Sequence, residues 1–238
     1  MKTSSLHLNN RKLWAVIPAA GSGSRFSKTA LKQYQQIDTK TVLEHTVERL
    51  SQLPLSGYVL AIGAEDDVAQ KLAFQDIEKA HFCQGGKERV HSVYNGLQYL
   101  TQIANPEDLV FVHDAARPCV TLDCLERLVM TAIEQQCSAI LAIPVRDTLK
   151  RVQTADDIEK TVSREQLWQA QTPQISTLAT LKNALGKALE DDIVITDEAS
   201  ALEYVGEKVK VVQGRSDNIK ITYPDDLELA KLILKAQF

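Results

Sequence analysis

Short apolar, β-prone runs that recur between amphipathic helical stretches leave this chain few folds to choose from. Residues 13–17, 58–62, 109–112 and 139–143 carry almost no charge, as strands covered on both faces do. Between them, 41–53, 88–103 and 121–136 place apolar residues at helical spacing. In the first of these, Val42, His45, Thr46 and Arg49 alternate with Leu43, Val47 and Leu50, the pattern of a helix laid on a sheet. The β-α-β-α order predicts an α/β fold, a mostly parallel, Rossmann-like twisted sheet flanked by helices. Ligands of such sheets bind beyond the carboxyl ends of the strands, so the loops after strands are where chemistry belongs.

The rhythm breaks at about 145–174, where polar and β-branched residues alternate around a polar turn at 154–157. This reads as a protruding β-hairpin, either an arm that docks on a second subunit or a solvated surface hairpin. Helical signals then return. Thr196 is a candidate cap ahead of Asp197 and Glu198, and Pro224 with Asp225 and Asp226 opens a last helix. Residues 1–12 are polar and read as a frayed tail, with 13–238 forming one domain that carries the arm. Net charge is −4 without a run of either sign, which excludes broad nucleic-acid coating yet leaves room for a small anionic ligand. No stretch approaches the roughly 20 apolar residues that span a bilayer. Cys83, Cys119, Cys124 and Cys137 lack CxxC spacing, so reduced thiols in a cytoplasmic protein are expected, without a zinc site.

The first strand runs straight into Pro18-Ala-Ala-Gly-Ser-Gly-Ser-Arg25, whose small residues let backbone N–H groups approach a polyphosphate. Neither standard phosphate loop fits it. Phe26 stands where a Walker A sequence needs its second glycine and where the dinucleotide fingerprint wants Gly or Ala. A polyphosphate grip from Gly21, Gly23, Arg25 and Lys32 and a tight structural turn are the two readings. Two cations beside one glycine loop suit charge that builds on a phosphorus under attack. A second glycine turn, Gln84-Gly-Gly-Lys-Glu-Arg-Val-His-Ser92, opens a helix and offers backbone groups and Ser92 to a base edge. In Phe111-Val-His-Asp114-Ala-Ala-Arg117-Pro118 an aspartate stands at a strand end three residues before an arginine. Asp114 suits either Mg²⁺ bridged to phosphates or a plain ion pair with Arg117; His113 faces the other way and reads as packed. Lys220, in Asp217-Asn-Ile-Lys-Ile-Thr, is either a phosphate ligand at a strand end or a surface lysine. No Gly-x-Ser-x-Gly elbow or Cys/His pair is present, which points to direct displacement at phosphorus.

Taken in order, PAAGSGSRF, KQY, GGKERVHSV, HDAARP, PVRDT, TPQ, ITDEASALEY and DNIKIT resemble the 2-C-methyl-D-erythritol 4-phosphate cytidylyltransferase family from about Leu13 onward. The resemblance implies a nucleotidyltransferase fold that joins CTP to methylerythritol phosphate, with Mg²⁺ or another divalent cation, as a homodimer through the arm. It implies a CTP-binding set of Ala19, Ala20, Gly21, Gly23, Gly86, Lys87, Ser92 and Ala115, with Arg117 in the same strand-end motif. Arg25 and Lys32 match the cations that stabilise the pentacoordinate phosphorus, Asp114 the metal-associated carboxylate, and Lys220 a lysine shared between the two substrates' phosphates. Thr148 and Arg164 match arm residues that reach the partner's acceptor site, with Thr172 and Thr196 assigned to the same acceptor. The sequence departs from the family at Leu31, where a proline is usual. Ribitol 5-phosphate cytidylyltransferases share the scaffold, but their glycine loop reads AGG and they lack the HDAARP spelling. A nicotinamide oxidoreductase is disfavoured by Phe26 and by the lack of a ribose-binding acid after the second strand.

Overall fold

The computed structural model describes residues 6–21, 26–27, 31–153 and 156–237. Along the chain run β1 (Leu13–Pro18), β2 (Gln36–Ile37), β3 (Lys40–Thr41), α1 (Val42–Leu50), β4 (Gly57–Ile62), β5 (Ala80–Gln84), α2 (Arg89–Leu100), β6 (Leu109–Val112) and α3 (Leu122–Glu134). They continue through β7 (Ser138–Pro144), β8 (Leu149–Val152), β9 (Ile158–Val162), β10 (Trp168–Thr177), α4 (Leu178–Glu190), α5 (Glu198–Tyr204), β11 (Val209–Gln213) and α6 (Asp225–Ala236). Seven strands make one sheet in the order β11-β7-β10-β6-β1-β4-β5, parallel throughout except for β10, which is antiparallel to both neighbours. The expected mostly parallel α/β sheet is what the chain forms.

Strand β1 shows why its run of apolar residues had to be central. Leu13, Ala15 and Ile17 point into a core shared with α1 and α3, while Trp14 and Val16 point into one shared with α2 and α4. Each such large aliphatic side chain, fully buried, contributes roughly 1.5–3 kcal/mol. A third cluster seats α6 through Ala230 and Leu234 against Val42, Ile37 and Ile221. Helix α1 is therefore buried on two sides: Leu43, Val47 and Leu50 toward the sheet, Val42 toward α6. Its start is fixed by a capping box, in which Thr41 Oγ1 accepts from Glu44 N and the Glu44 carboxylate accepts from Thr41 N. Among residues 1–12, expected to fray, Leu6 and Leu8 pack against the first core, and Lys12 N donates to the buried Asp108 carboxylate at 2.9 Å.

Two local expectations change. The cap of α5 is Asp197, not Thr196: Asp197 Oδ1 accepts from Ser200 N at 3.0 Å, and Ser200 Oγ in turn accepts from Asp197 N. Asp197 stands one residue closer to the helix, where its carboxylate reaches the orphan amide. The stretch 145–174 also divides. Only β8 and β9 form a separate, largely exposed two-stranded hairpin. Trp168, Gln169 and Ala170 pair with the end of β7, and Gln174 to Thr177 enter the middle of the main sheet against β6. Between Ala170 and Gln174 the register against β7 shifts, and Gln171 and Thr172 leave the ladder at the sheet's carboxyl edge. The hairpin turn at 154–157 lies partly outside the described residues.

Candidate active site

Parallel strands β1, β4, β5 and β6 end at one edge, so the loops that follow them gather there. They line an open cleft of about 330 Å³ whose walls include Ala19, Gly21, Lys32, Gly86, Lys87, Ser92, Asp114, Ala115 and Lys220. The loop after β1 is anchored twice, by Ala19 N to Ala61 O at 2.8 Å and by Gln33 Nε2 to Ala19 O at 2.8 Å. Gln33 sits in the 3₁₀ turn Lys32–Tyr34, which Tyr34 pins by donating to Asp66. A Cβ on Gly21 would meet nothing within 4 Å, so this backbone faces the open cleft. The second turn is tight for the opposite reason. A Cβ on Gly85 would fall 2.3 Å from the Ala20 Cβ, so glycine there lets the two loops touch, and one on Gly86 would fall 2.3 Å from the His91 Cβ, so glycine there lets the turn fold onto α2. Ser92 Oγ accepts from Gly86 N at 3.0 Å and holds that turn closed.

Asp114 is the hub. Its buried carboxylate accepts from Arg89 Nε at 2.8 Å on Oδ1, and on Oδ2 it meets Lys220 Nζ at 2.8 Å and Arg117 Nε at 3.5 Å. Burial alone would push this carboxyl up, but Arg89, Lys220 and Arg117 together outweigh burial and hold it well below the usual carboxylate range. The pair with Arg117, one of the two readings offered by the sequence, is present but the loosest of three. Lys220 is no lone surface lysine, and it lies in an irregular extended segment after β11 instead of at a strand end. That segment is tied down by Ile221 N to Ala116 O at 2.9 Å and by Lys32 Nζ to Ile221 O at 2.9 Å. Lys32 and Lys220, far apart in sequence, thus approach the same cleft.

A second cavity of about 260 Å³ adjoins the first and shares Arg89, Asp114 and Lys220 with it. Its other walls include Arg117, Thr172, Gln174, Thr196 and Asp197. His113 is fully buried next to it. His113 Nε2 lies 3.0 Å from Arg117 O, a carbonyl, and so must carry the proton. Its Nδ1 then accepts from Thr172 Oγ1 at 2.9 Å, while Thr172 Oγ1 accepts from Asp114 N at 3.1 Å. Burial pushes the imidazole down to about 4, which keeps this neutral tautomer in place. Asn218 completes the frame: its Nδ2 donates to Thr172 O at 2.9 Å and its own carbonyl accepts from Arg117 Nη1 at 2.7 Å.

Of the residues expected from sequence, Ala19, Gly21, Lys32, Gly86, Lys87, Ser92, Asp114, Ala115 and Lys220 meet in the first cleft, and Ala20 packs directly behind it. Arg117, Thr172 and Thr196 meet in the second. Thr148 and Arg164 are exposed on or beside the hairpin and line neither cavity. Gly23 and Arg25 lie outside the described residues. The sequence pattern assigns no role to Arg89, and Glu198 stands there only as an acid complementing a helix dipole. In the fold Glu198 is 1% exposed and receives Arg89 in bidentate fashion, Nη1 to Oε1 at 2.7 Å and Nη2 to Oε2 at 3.1 Å. One signal was available: Arg89 is the first residue of α2, where a cation opposes the helix dipole and calls for nearby carboxylates.

Known proteins resemble this chain over nearly its whole length. The family model described as IspD, 2-C-methyl-D-erythritol 4-phosphate cytidylyltransferase, matches residues 13–236. The enzyme of that name from Acinetobacter baumannii (strain SDF) is 71% identical over 226 residues, covering 95% of each chain. That from Acinetobacter baylyi is 65% identical over 237 residues, covering 100% of this chain and 99% of the other. Among solved structures, a 4-diphosphocytidyl-2C-methyl-D-erythritol synthase superposes with a TM-score of 0.82 at 38% identity, covering 94% of this chain and 99% of that one. The Francisella tularensis 2-C-methyl-D-erythritol 4-phosphate cytidylyltransferase follows at 0.81 and 36%, covering 93% and 99%.

Proposed function

The chain belongs to the 2-C-methyl-D-erythritol 4-phosphate cytidylyltransferase family, and we infer that it joins CTP to 2-C-methyl-D-erythritol 4-phosphate, releasing pyrophosphate. The product is 4-diphosphocytidyl-2-C-methyl-D-erythritol, a precursor in non-mevalonate isoprenoid synthesis. One observation carries the site assignment: two adjoining cavities share Asp114 and Lys220, as a reaction that brings two phosphates together requires.

On this reading CTP occupies the first cleft, its triphosphate along Ala19, Ala20, Gly21 and Gly23 and its base against Gly86, Lys87, Ser92 and Ala115. The acceptor takes the second, between Thr172, Thr196 and Lys220, with Arg117 bracing the floor. A phosphate oxygen of the acceptor attacks the α-phosphorus in line. The new P–O bond forms as the bond to the β-bridging oxygen breaks, and the electron pair leaves with pyrophosphate. No side chain has to remove a proton, because a phosphate monoester with a second pKa of about 6 is largely a dianion at neutral pH. The protein's work is orientation and charge neutralisation by Arg25, Lys32 and Lys220.

Magnesium fits this donor set as a substrate-borne ion. Among the described residues no three His, Cys, Asp or Glu side chains cluster into a metal cage, but Asp114 presents one ionised carboxylate at the cleft, and Mg²⁺ characteristically takes one or two carboxylates plus phosphates. Both Asp114 oxygens are met by Arg89, Lys220 and Arg117, so an ion carried on the phosphates would be held by Asp114 in exchange for one of these partners and would neutralise phosphate charge. Thr148 and Arg164 belong to neither cavity of their own chain, which supports a homodimer whose arms serve each other's acceptor pockets. No described helix is long and apolar enough to cross a membrane. The four unpaired cysteines favour a reducing cytoplasm.

The test is pyrophosphate release from CTP and Mg²⁺ with 2-C-methyl-D-erythritol 4-phosphate, ribitol 5-phosphate serving as the competing acceptor. Turnover with the first and little with the second is expected; preference for ribitol 5-phosphate would reassign the acceptor.

A further inference from the structure

Arg89 does something no phosphate-binding arginine needs to do: it spends its guanidinium on the protein's own carboxylates. Its Nε goes to Asp114 and its two terminal nitrogens to Glu198, so one rigid plane joins the end of β6 to the first residue of α5. Glu198 is almost wholly buried, and among the described residues Arg89 alone donates to its carboxylate. Burial disfavours the cation, yet Glu198 and Asp114 more than compensate and keep Arg89 firmly charged. Arg89 also lines both cavities, standing in the partition between them.

We propose that Arg89 and Glu198 form a positioning clamp that sets the acceptor pocket at a fixed distance from the nucleotide cleft. The inference rests on the two-cavity reading above. Arg89 fixes Asp114 Oδ1, which leaves Oδ2 to Lys220, the lysine common to both cavities, and more loosely to Arg117. Glu198 carries the other end of the clamp into α5, whose cap Asp197 and preceding Thr196 wall the acceptor pocket. Gln174 braces the same wall from β10, donating to Asp197 Oδ2 at 2.9 Å and accepting from Ala199 N at 2.8 Å. The acceptor wall therefore moves with Asp114. A lysine at 89 would keep the charge but not the three-point plane, because its donors radiate from one nitrogen on a flexible stem.

Four variants of the full chain test this: Arg89→Lys, Glu198→Gln, the double variant, and Gln174→Ala as a control that loosens α5 without touching Asp114. Pyrophosphate release is measured against each substrate, CTP binding by calorimetry without acceptor, and folding by thermal melting. Misplacing reactants by about 1 Å costs on the order of 100-fold in rate. Arg89→Lys and Glu198→Gln are each expected to lower kcat about 100-fold and raise the acceptor KM about tenfold, with CTP affinity within about threefold of wild type. The double variant should lose no more than the worse single, since the two side chains act as one unit. Gln174→Ala should raise the acceptor KM with a smaller fall in kcat. Full per-molecule activity in folded Arg89→Lys and Glu198→Gln, or losses that multiply in the double variant, would overturn the clamp while wild-type turnover leaves the reaction standing. A wild-type enzyme that binds CTP but turns over no acceptor would overturn both.

Discussion

The Asp114 hub and the β8–β9 hairpin lie at opposite extremes of the same chain. At the hub, Arg89 from α2, Arg117 from the loop after β6 and Lys220 from the 214–222 segment converge on one buried carboxylate, and nearly every polar group has a named partner from elsewhere in the molecule. On the hairpin, Lys150, Arg151, Val152, Ile158, Glu159, Lys160 and Thr161 are all exposed, and the strands pair only with each other. Two-stranded ribbons of this kind are at best marginally stable alone in water. The hub is held by the protomer's own tertiary structure; the arm has almost nothing of its own to hold it. On the homodimer proposed above, the contrast teaches that damage to the hub should register in one subunit, whereas damage to the arm should register through a partner.

The largest effect should come from Lys220→Ala. It removes a cation common to both cavities but leaves Asp114 with Arg89 and Arg117, so kcat should fall about 10²–10³-fold while the melting temperature moves little. Next is Arg164→Ala on the arm, expected to lower kcat/KM for the acceptor about tenfold to 100-fold with melting unchanged. Mixing these two impaired proteins under subunit exchange sharpens the contrast. If the proposed homodimer holds, half of the dimers are then mixed and one of their two sites combines an intact hub with an intact arm, so about a quarter of wild-type activity should return. No recovery would mean that the arm serves its own chain.

A smaller effect concerns the hub's foundation. His113 titrates near 4 in the folded chain against an ordinary 6.5, because burial disfavours its charged form. The unfolded chain therefore takes up a proton that the folded one refuses as pH falls from 6.5 to 4. Stability is full above that window and declines through it by up to about 3 kcal/mol, with protonation of Asp114 adding loss below 3.8. Denaturant melts of His113→Gln should show a flatter slope across that window; an unchanged slope would place the titration elsewhere. The smallest effect is expected at Leu31, whose φ of −73° already suits a proline ring. Leu31→Pro should leave kcat within about twofold and stabilise by about 0.4–1 kcal/mol.

Much of the framework was readable before the fold was known. The runs at 13–17, 58–62, 109–112 and 139–143 became β1, β4, β6 and β7 almost residue for residue, since a strand buried on both faces tolerates little but apolar side chains. The helices over 41–53, 88–103 and 121–136 are shorter than their apolar patterns, because capping and the ends of hydrogen bonding, not periodicity, set a terminus. The role of β10 was not readable. Its polar first half looked like arm, and only pairing with β6 and β7 makes Gln174, Ile175 and Ser176 the centre of a sheet.

The amino-acid sequence by itself determined the parallel α/β scaffold, the two glycine turns, and the residue types that gather at its edge. Those follow from local rules of periodicity, steric freedom and charge that hold within a few residues. Only the tertiary structure decided that Arg89 answers Glu198 across 109 positions, that Lys32 and Lys220 share a cleft, and that His113 steadies Thr172. Burial is what converts such distant pairs into obligatory partners, because a charge or a hydroxyl removed from water must find its complement wherever the chain has brought it.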